Sequence, residues 1–447
     1  MDNGKITAFW FRRDLRPDDN HGLAEAMKSG LPVLPVFIFD TNIIDTLDKD
    51  DARITFIYEK LSAITTTSLA KEASGIYCKK GKPSAIWERI INEFDIDAVY
   101  ANEDYEPYAI DRDAEIAGLL SRHGIKFKLF KDQVIFGKDE ILKPDGNPYT
   151  VFTPYKNRWL SKFRQSTVTG GNPAGQWRAN GFCHTGSGQV FPTLAELGFE
   201  RSSLKIKDYV IDAGKLKKYK DTRDDPAADT TSYLSVHLRF GTVSIRKIIA
   251  QVSEYEPFLS ELIWREFFMQ ILYHFPHAAH SNFKSIYDGI KWRNDEAEFE
   301  RWKNGETGFP FVDAGMRQLN ETGYMHNRAR MIAASFLCKD LLIDWKWGEA
   351  YFAKKLLDYE LSSNNGNWQW SAGTGCDAAP YFRIFNPASQ LRKFDPEREY
   401  VKTWIPEFRS GTPHAYGYPA PMVDHDKART RALETYRKAV SEHKKSY

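Results

Sequence analysis

Cysteine is scarce in this chain of 447 residues: there are four, Cys78, Cys183, Cys338 and Cys376. None forms a C-x-x-C pair and none sits near histidine at metal-ligand spacing. That excludes a zinc ribbon and a thioredoxin-type redox motif, so we expect four reduced thiols and no metal site. Long apolar runs are missing too. The longest, LPVLPVFIF from Leu31 to Phe39, is far short of the ~20 residues a membrane helix needs. The N-terminal MDNGKITAFWFRRDLR shows no signal-peptide pattern. A soluble cytoplasmic protein with no membrane partner is expected. The front half lacks a G-x-G-x-x-G fingerprint, which leaves a Rossmann-type dinucleotide site unsupported there. No internal repeat and no low-complexity segment is present.

Aromatics are abundant. Of 12 tryptophans, eight lie after residue 224. Rows of indoles form plain core, or stack on flat ligands, or carry electrons. The net charge of +2 is unevenly distributed: residues 1–130 hold 17 Lys and Arg against 22 Asp and Glu, so the remainder carries +7. An acidic front and a basic back direct a polyanionic partner to the back half.

Residues 1–130 alternate strand-like runs (KITAFWF, PVLPVFIF, GIYCKK, DAVYANE, KFKLFKDQVIF) with helix-like ones (NHGLAEAMKSG, ARITFIYEKLSAITTTSLA, PSAIWERIINEF, YAIDRDAEIAGLLSRHG). This alternation predicts an α/β domain with a doubly wound parallel sheet. Residues 131–204, rich in Gly, Pro, Asn and Ser, read as a long interdomain linker. From 205 to 447 the strand signal fades and helical periodicity dominates, which predicts an all-α domain.

The helical part carries unusual side-chain groupings. SELIWREFF sets Glu261, Trp264 and Arg265 on one helix face. A carboxylate, an indole and a guanidinium together are poor core material; they suit a pocket that stacks a flat ring and bonds its edge. A surface ion pair beside a core tryptophan is the plainer alternative. MHNRARM repeats the pattern with Asn327, Arg330 and Met331, while Arg328 points elsewhere and suits a phosphate. In DTTSYLS, Thr231, Ser232 and Ser235 at a helix start suit an anion, though an ordinary Ser/Thr N-cap is the commoner explanation. KKLLDYELSSNN adds Asp358, Glu360 and Asn364. NNGNWQW then places two indoles among amides and glycine.

FWFRRDLRPDDNHGL, TSYLS, SELIWREFF, TGYMHNRARMIAASFLCKDLLIDWKWGEAYF, NNGNWQW and DAAPYFRIFNP, in this order along nearly the whole chain, resemble the photolyase/cryptochrome family. Within it the chain looks most like the bacterial class I cyclobutane pyrimidine dimer (CPD) photolyases. The resemblance implies an N-terminal α/β antenna domain, a linker, and a C-terminal helical domain that binds FAD and DNA. It assigns Tyr219, Thr231, Ser232, Leu234, Ser235, Arg265, Arg330, Asp358, Glu360 and Asn364 to FAD, with Asp358 paired to Arg330 and Asn364 at the ring nitrogen protonated on reduction. Trp368, Trp345 and Trp292 match the family's electron-transfer tryptophans. Glu261, Trp264, Asn327, Met331 and Trp370 match the residues that hold the dimer, with Trp264 and Trp370 as facing aromatic walls. Arg223 and Arg328, with Trp264 and Trp370, match contacts to DNA.

The implied activity is light-driven repair: an electron from excited, reduced FAD splits a flipped-out dimer in UV-damaged DNA and then returns. A monomer is expected. Two departures stand out. Asp358-Tyr359-Glu360 replaces the Asp-Gly-Asp of many CPD photolyases. Tyr108 and Ala109 replace the Asn-Glu of folate-binding relatives, which disfavours a folate antenna and leaves a deazaflavin, a second flavin or an empty pocket. The rival readings are a cryptochrome-type blue-light receptor and a (6-4) photolyase. The set Glu261, Trp264, Asn327, Met331 and Trp370 argues against the first. The single His326 in YMHNRARM argues against the second.

Overall fold

The computed structural model describes residues 4–69, 75–165, 191–410 and 417–445. Cys183 and the rest of residues 166–190, within the stretch read as linker, lie outside the described residues. Five strands, β1 (Ile6–Phe11), β2 (Val33–Asp40), β3 (Tyr77–Gly81), β4 (Ile96–Asn102) and β5 (Lys126–Phe130), form one sheet in the order β3-β2-β1-β4-β5. Every pairing is parallel. β1 and β2 are buried along their whole length. That is why they read as unbroken apolar runs: helices cover both faces of a parallel sheet.

The helices between the strands start on local signals. Asn20 caps His21–Met27 by accepting from the Leu23 N–H, and proline opens Pro83–Glu93 and Pro107–Arg122. The run expected to continue as strand to Phe136 leaves the sheet after Phe130. Asp132 there turns into the interior, where Arg16 and Arg246 each donate to it at 2.8 Å. A buried, doubly paired carboxylate outweighs one more turn of edge pairing.

The chain forms two compact units. One comprises residues 1–141, 158–210 and 233–259. The other comprises 142–157, 211–232 and 260–447. The first contains the sheet. The second is built on Ala213–Thr222, most of Glu256–His274, Pro310–Thr322, Asn327–Ser335, Trp345–Lys355, Leu361–Ala372 and His425–Lys445. Helix Phe152–Gln165 lies within the stretch read as linker.

The core of the helical unit is aromatic, with Trp302, Phe336, Trp345, Phe352 and Trp368 all buried in it. Two glycines set its spacing. A Cβ on Gly348 would stand 2.1 Å from Cη2 of Trp368, and one on Gly366 2.2 Å from Cδ1 of Phe268. The NNGNWQW stretch is therefore helical, within Leu361–Ala372. Its mid-helix glycine lets the Phe268 ring of the neighbouring helix come close.

Candidate functional site

Three helices of the second unit carry most of the candidate residues. Glu256–His274 bears Glu261, Trp264 and Arg265, Asn327–Ser335 bears Asn327, Arg328, Arg330 and Met331, and Leu361–Ala372 bears Asn364, Trp368 and Trp370. Ion pairs join them to one another and to the end of Ala213–Thr222. Arg223, the C-cap of that helix, donates to Glu261 at 2.6 Å. Its neighbour Asp224 accepts from Arg328 at 2.5 Å. Arg265 donates to Glu360 at 3.0 Å, and Arg330 to Asp358 at 3.0 Å and to the Met325 carbonyl at 2.8 Å. Tyr219 lies under the Arg223 guanidinium, 5.5 Å from ring centroid to charge centre.

Burial raises two carboxyl groups of the site. Burial pushes the Glu261 carboxyl above its ordinary range, although Arg223 pulls it back part of the way. Glu349 is raised by burial as well, opposed only by the Asn364 amide. Asn364 donates to Glu349 twice, to its side chain at 2.8 Å and to its carbonyl at 3.1 Å. His326 caps Asn327–Ser335 by accepting from the Arg328 N–H. Burial, helped by Arg330, lowers its pKa to about 4, which keeps the ring neutral as an acceptor.

The aromatic residues have distinct surroundings. Phe152 stacks face to face on Trp264 with centroids 3.6 Å apart, and Phe268 lies against it at 5.3 Å. The backbone N–H of Phe152 is fixed by Asp377 at 3.0 Å. Trp370 is half-buried. Trp368 rests against Phe352 and Trp302 at 4.9 and 6.1 Å. Trp345 is buried with its indole N–H on Asn282. Trp292, partly exposed, packs on the same core and meets Tyr436 edge-on at 6.0 Å. Asn327 is exposed, its amide 3.8 Å from the Met331 sulfur.

In the Thr231–Ser235 run, the residue that caps helix Leu234–Arg239 is Tyr233, in a left-handed conformation (φ 54°) and without a side-chain cap bond. The ordinary Ser/Thr cap is thus not what these residues form. Three residues of this region carried no usable sequence signal: Phe152, Asp224 and Glu349. Each works through a partner distant in sequence, and only Gly348, directly before Glu349, marks a close helix approach.

Comparison with known proteins gives consistent results. Residues 7–173 match the family described as DNA photolyase, and residues 258–438 the FAD binding domain of DNA photolyase. A deoxyribodipyrimidine photo-lyase of Halobacterium salinarum is 35% identical, over 96% of this chain and 98% of that protein. One of Escherichia coli is 35% identical over the same shares. Among solved structures, a class III photolyase of Agrobacterium tumefaciens aligns with a TM-score of 0.83 at 32% identity, over 97% of this chain and 98% of that one. An archaeal photolyase of Sulfolobus tokodaii, solved with two FAD molecules, aligns at 0.81 and 34%, over 97% of this chain and all of that one.

Proposed function

This chain belongs to the DNA photolyase family, and from that premise we propose that it is a deoxyribodipyrimidine photo-lyase, repairing cyclobutane pyrimidine dimers in DNA with light and FAD. The observation that carries this reading is the extent of the match: 35% identity to enzymes of that name over 96% of the chain.

The side chains suit the cofactor. Arg265 and Arg330 supply cations, each held by a carboxylate. Asn364 supplies a neutral amide fixed by Glu349. The run Thr231, Ser232, Leu234 and Ser235 is assigned to the pyrophosphate, and Tyr219, Asp358 and Glu360 to the same cofactor. FAD, bound and reduced, supplies on excitation the electron that opens the cyclobutane ring. The protein's own groups hold the lesion. A dimer stacks and pairs badly, so it leaves the duplex at reduced cost. Trp264, backed by Phe152, and Trp370 then form its aromatic seat, and Asn327 and Met331 meet the exposed edge.

Burial raises the Glu261 carboxyl, and Arg223 holds it in place. In its protonated form the carboxyl donates a hydrogen bond to a pyrimidine carbonyl where negative charge develops. Trp368, Trp345 and Trp292, lying in or on one aromatic core, are the route for an electron entering from the surface. Arg223 and Arg328 supply cations for the DNA backbone.

Folate is disfavoured as antenna by Tyr108, whose hydroxyl is engaged by Asp40 and by the Asn42 amide. Among the described residues no helix is long and apolar enough to cross a membrane. Cys78, Cys338 and Cys376 are buried free thiols, which supports a reducing cytoplasm. We assign the monomer as the working form.

The test is blue-light repair of an oligonucleotide with one thymine dimer, using the holoprotein with its flavin reduced and a dark control. Light-dependent loss of the dimer is expected. Trp264→Ala should weaken lesion binding about tenfold, the scale of one lost base stack. Glu261→Gln should lower repair yield more than binding. No repair by folded, flavin-loaded protein would overturn the reading.

A further inference from the structure

Asp224 occupies the guanidinium of Arg328. Its carboxylate accepts from Arg328 at 2.5 Å. The two partners are unequally exposed: the Asp224 side chain is 43% exposed and that of Arg328 only 15%. The ring of Phe394 lies 4.2 Å from the guanidinium carbon and covers one side of the cation. Arg328 Nε is buried and has no hydrogen-bond partner among the described residues. The cation is therefore held in one orientation, incompletely satisfied, and paired to a more exposed acidic side chain. The same short strap, through Arg223, holds Glu261 on a different helix.

We propose that Asp224 is an internal stand-in for a DNA phosphate, releasing Arg328 to the DNA backbone on binding and so setting the affinity and salt dependence of association. The proposal rests on reading Arg328 as a backbone contact. Its physical content is an ion exchange. A cation that meets a phosphate releases the counterion condensed there on the DNA, and each such contact steepens the slope of log K against log salt by about 0.9. When that cation leaves a tethered carboxylate, the freed carboxylate draws a cation back from solution and offsets the release. Arg328 in the natural chain thus contributes little to the salt slope, and the freed Asp224 also faces a polyanion. Weak binding to intact duplex follows without loss of a well-oriented arginine.

The test uses the full-length holoprotein and a labelled duplex carrying one thymine dimer, kept in the dark. Anisotropy titrations are run between about 50 and 200 mM salt. For Asp224→Asn we expect a slope steeper by about 0.9 and, at the lowest salt, binding tightened about threefold, the scale of a partly exposed ion pair. Both effects must vanish in the Asp224→Asn/Arg328→Gln double variant. Flavin content and circular dichroism report that each variant is folded. If Arg328→Gln weakens binding while Asp224→Asn leaves slope and affinity unchanged, the exchange is overturned and the backbone reading of Arg328 stands. If Asp224→Asn weakens binding, Asp224 acts only to orient Arg328, and the exchange is again overturned. If Arg328→Gln changes nothing, even beside Asp224→Asn, the backbone contact itself fails and the exchange with it.

Discussion

Lys339 shows what one buried charge does to the pH response. It lies in the π-helical turn Phe336–Asp340 and is almost completely enclosed. Its ammonium donates to the Ala372 carbonyl at 2.6 Å and lies 3.8 Å from the centroid of the Tyr436 ring. Burial pulls its pKa down to about 7. In the unfolded chain a lysine titrates near 10.4. Between these values the unfolded state holds the extra proton, so stability rises with pH across that window. The rise approaches about 1.4 kcal/mol per pH unit where the native amine is neutral and the unfolded one charged. The melting midpoint should therefore gain more between pH 7 and 9 in the natural protein than in Lys339→Met, which has no proton to lose. Equal gains in the two proteins would mean that the amine stays charged in the fold.

Elements in this molecule are spaced by glycine. Gly348 on Trp345–Lys355 faces the Trp368 indole of Leu361–Ala372, and an added methyl would meet Cη2 at 2.1 Å and Cζ3 at 2.5 Å. These are ring atoms of a buried side chain with no free direction, so Gly348→Ala must push the helices apart or turn the indole. Overpacking of this kind costs about 1–3 kcal/mol. It also displaces the tryptophan assigned to deliver electrons inward. The expected result is a lowered melting temperature together with slower light-driven reduction of the oxidised flavin. Normal reduction kinetics would remove Trp368 from the route.

The same contact explains what the sequence made legible. β1 and β2 could be read because strands buried on both faces are apolar throughout. Glu261, Trp264 and Arg265 could be grouped because helical spacing alone puts them on one face. NNGNWQW did not announce a helix, because asparagine and glycine are weak helix formers. Its helicity is enforced by what packs on it: Phe268 at Gly366, and Glu349 on Asn364 across 15 residues of chain. Asp224 was illegible for a similar reason, as its partner Arg328 lies 104 residues away. Local pattern reports which face a residue shares, and long-range pairing has no local signature.

At the scale of the whole molecule, the unit that contains the sheet is not a contiguous piece of sequence. It takes residues 233–259 from beyond a segment, 211–232, that belongs to the other unit. Arg246 in that segment donates to Asp19 at 3.0 Å and to Asp132 at 2.8 Å. Both carboxylates are almost fully enclosed, their side chains 1% exposed. Burial alone would raise the Asp132 carboxyl, but Arg16 and Arg246 together hold it below its usual range. It therefore contributes stability above the unfolded carboxylate pKa and loses it as pH falls through the lowered value. Gly241 completes the junction: it adopts φ +61°, and a Cβ there would lie 2.1 Å from the Arg13 carbonyl oxygen. A fragment ending at residue 210 keeps all five strands yet leaves Asp19 without Arg246 and Asp132 with one cation, Arg16, in place of two. Stripping a partner from a buried ion pair costs about 3–5 kcal/mol. In the full chain, Arg246→Met should accordingly weaken hydrogen-exchange protection in β1 and β4 by a similar amount, and the 1–210 fragment should lack a cooperative melt that a 1–259 fragment regains. Equal melts for the two fragments would show that the sheet closes without its distant segment.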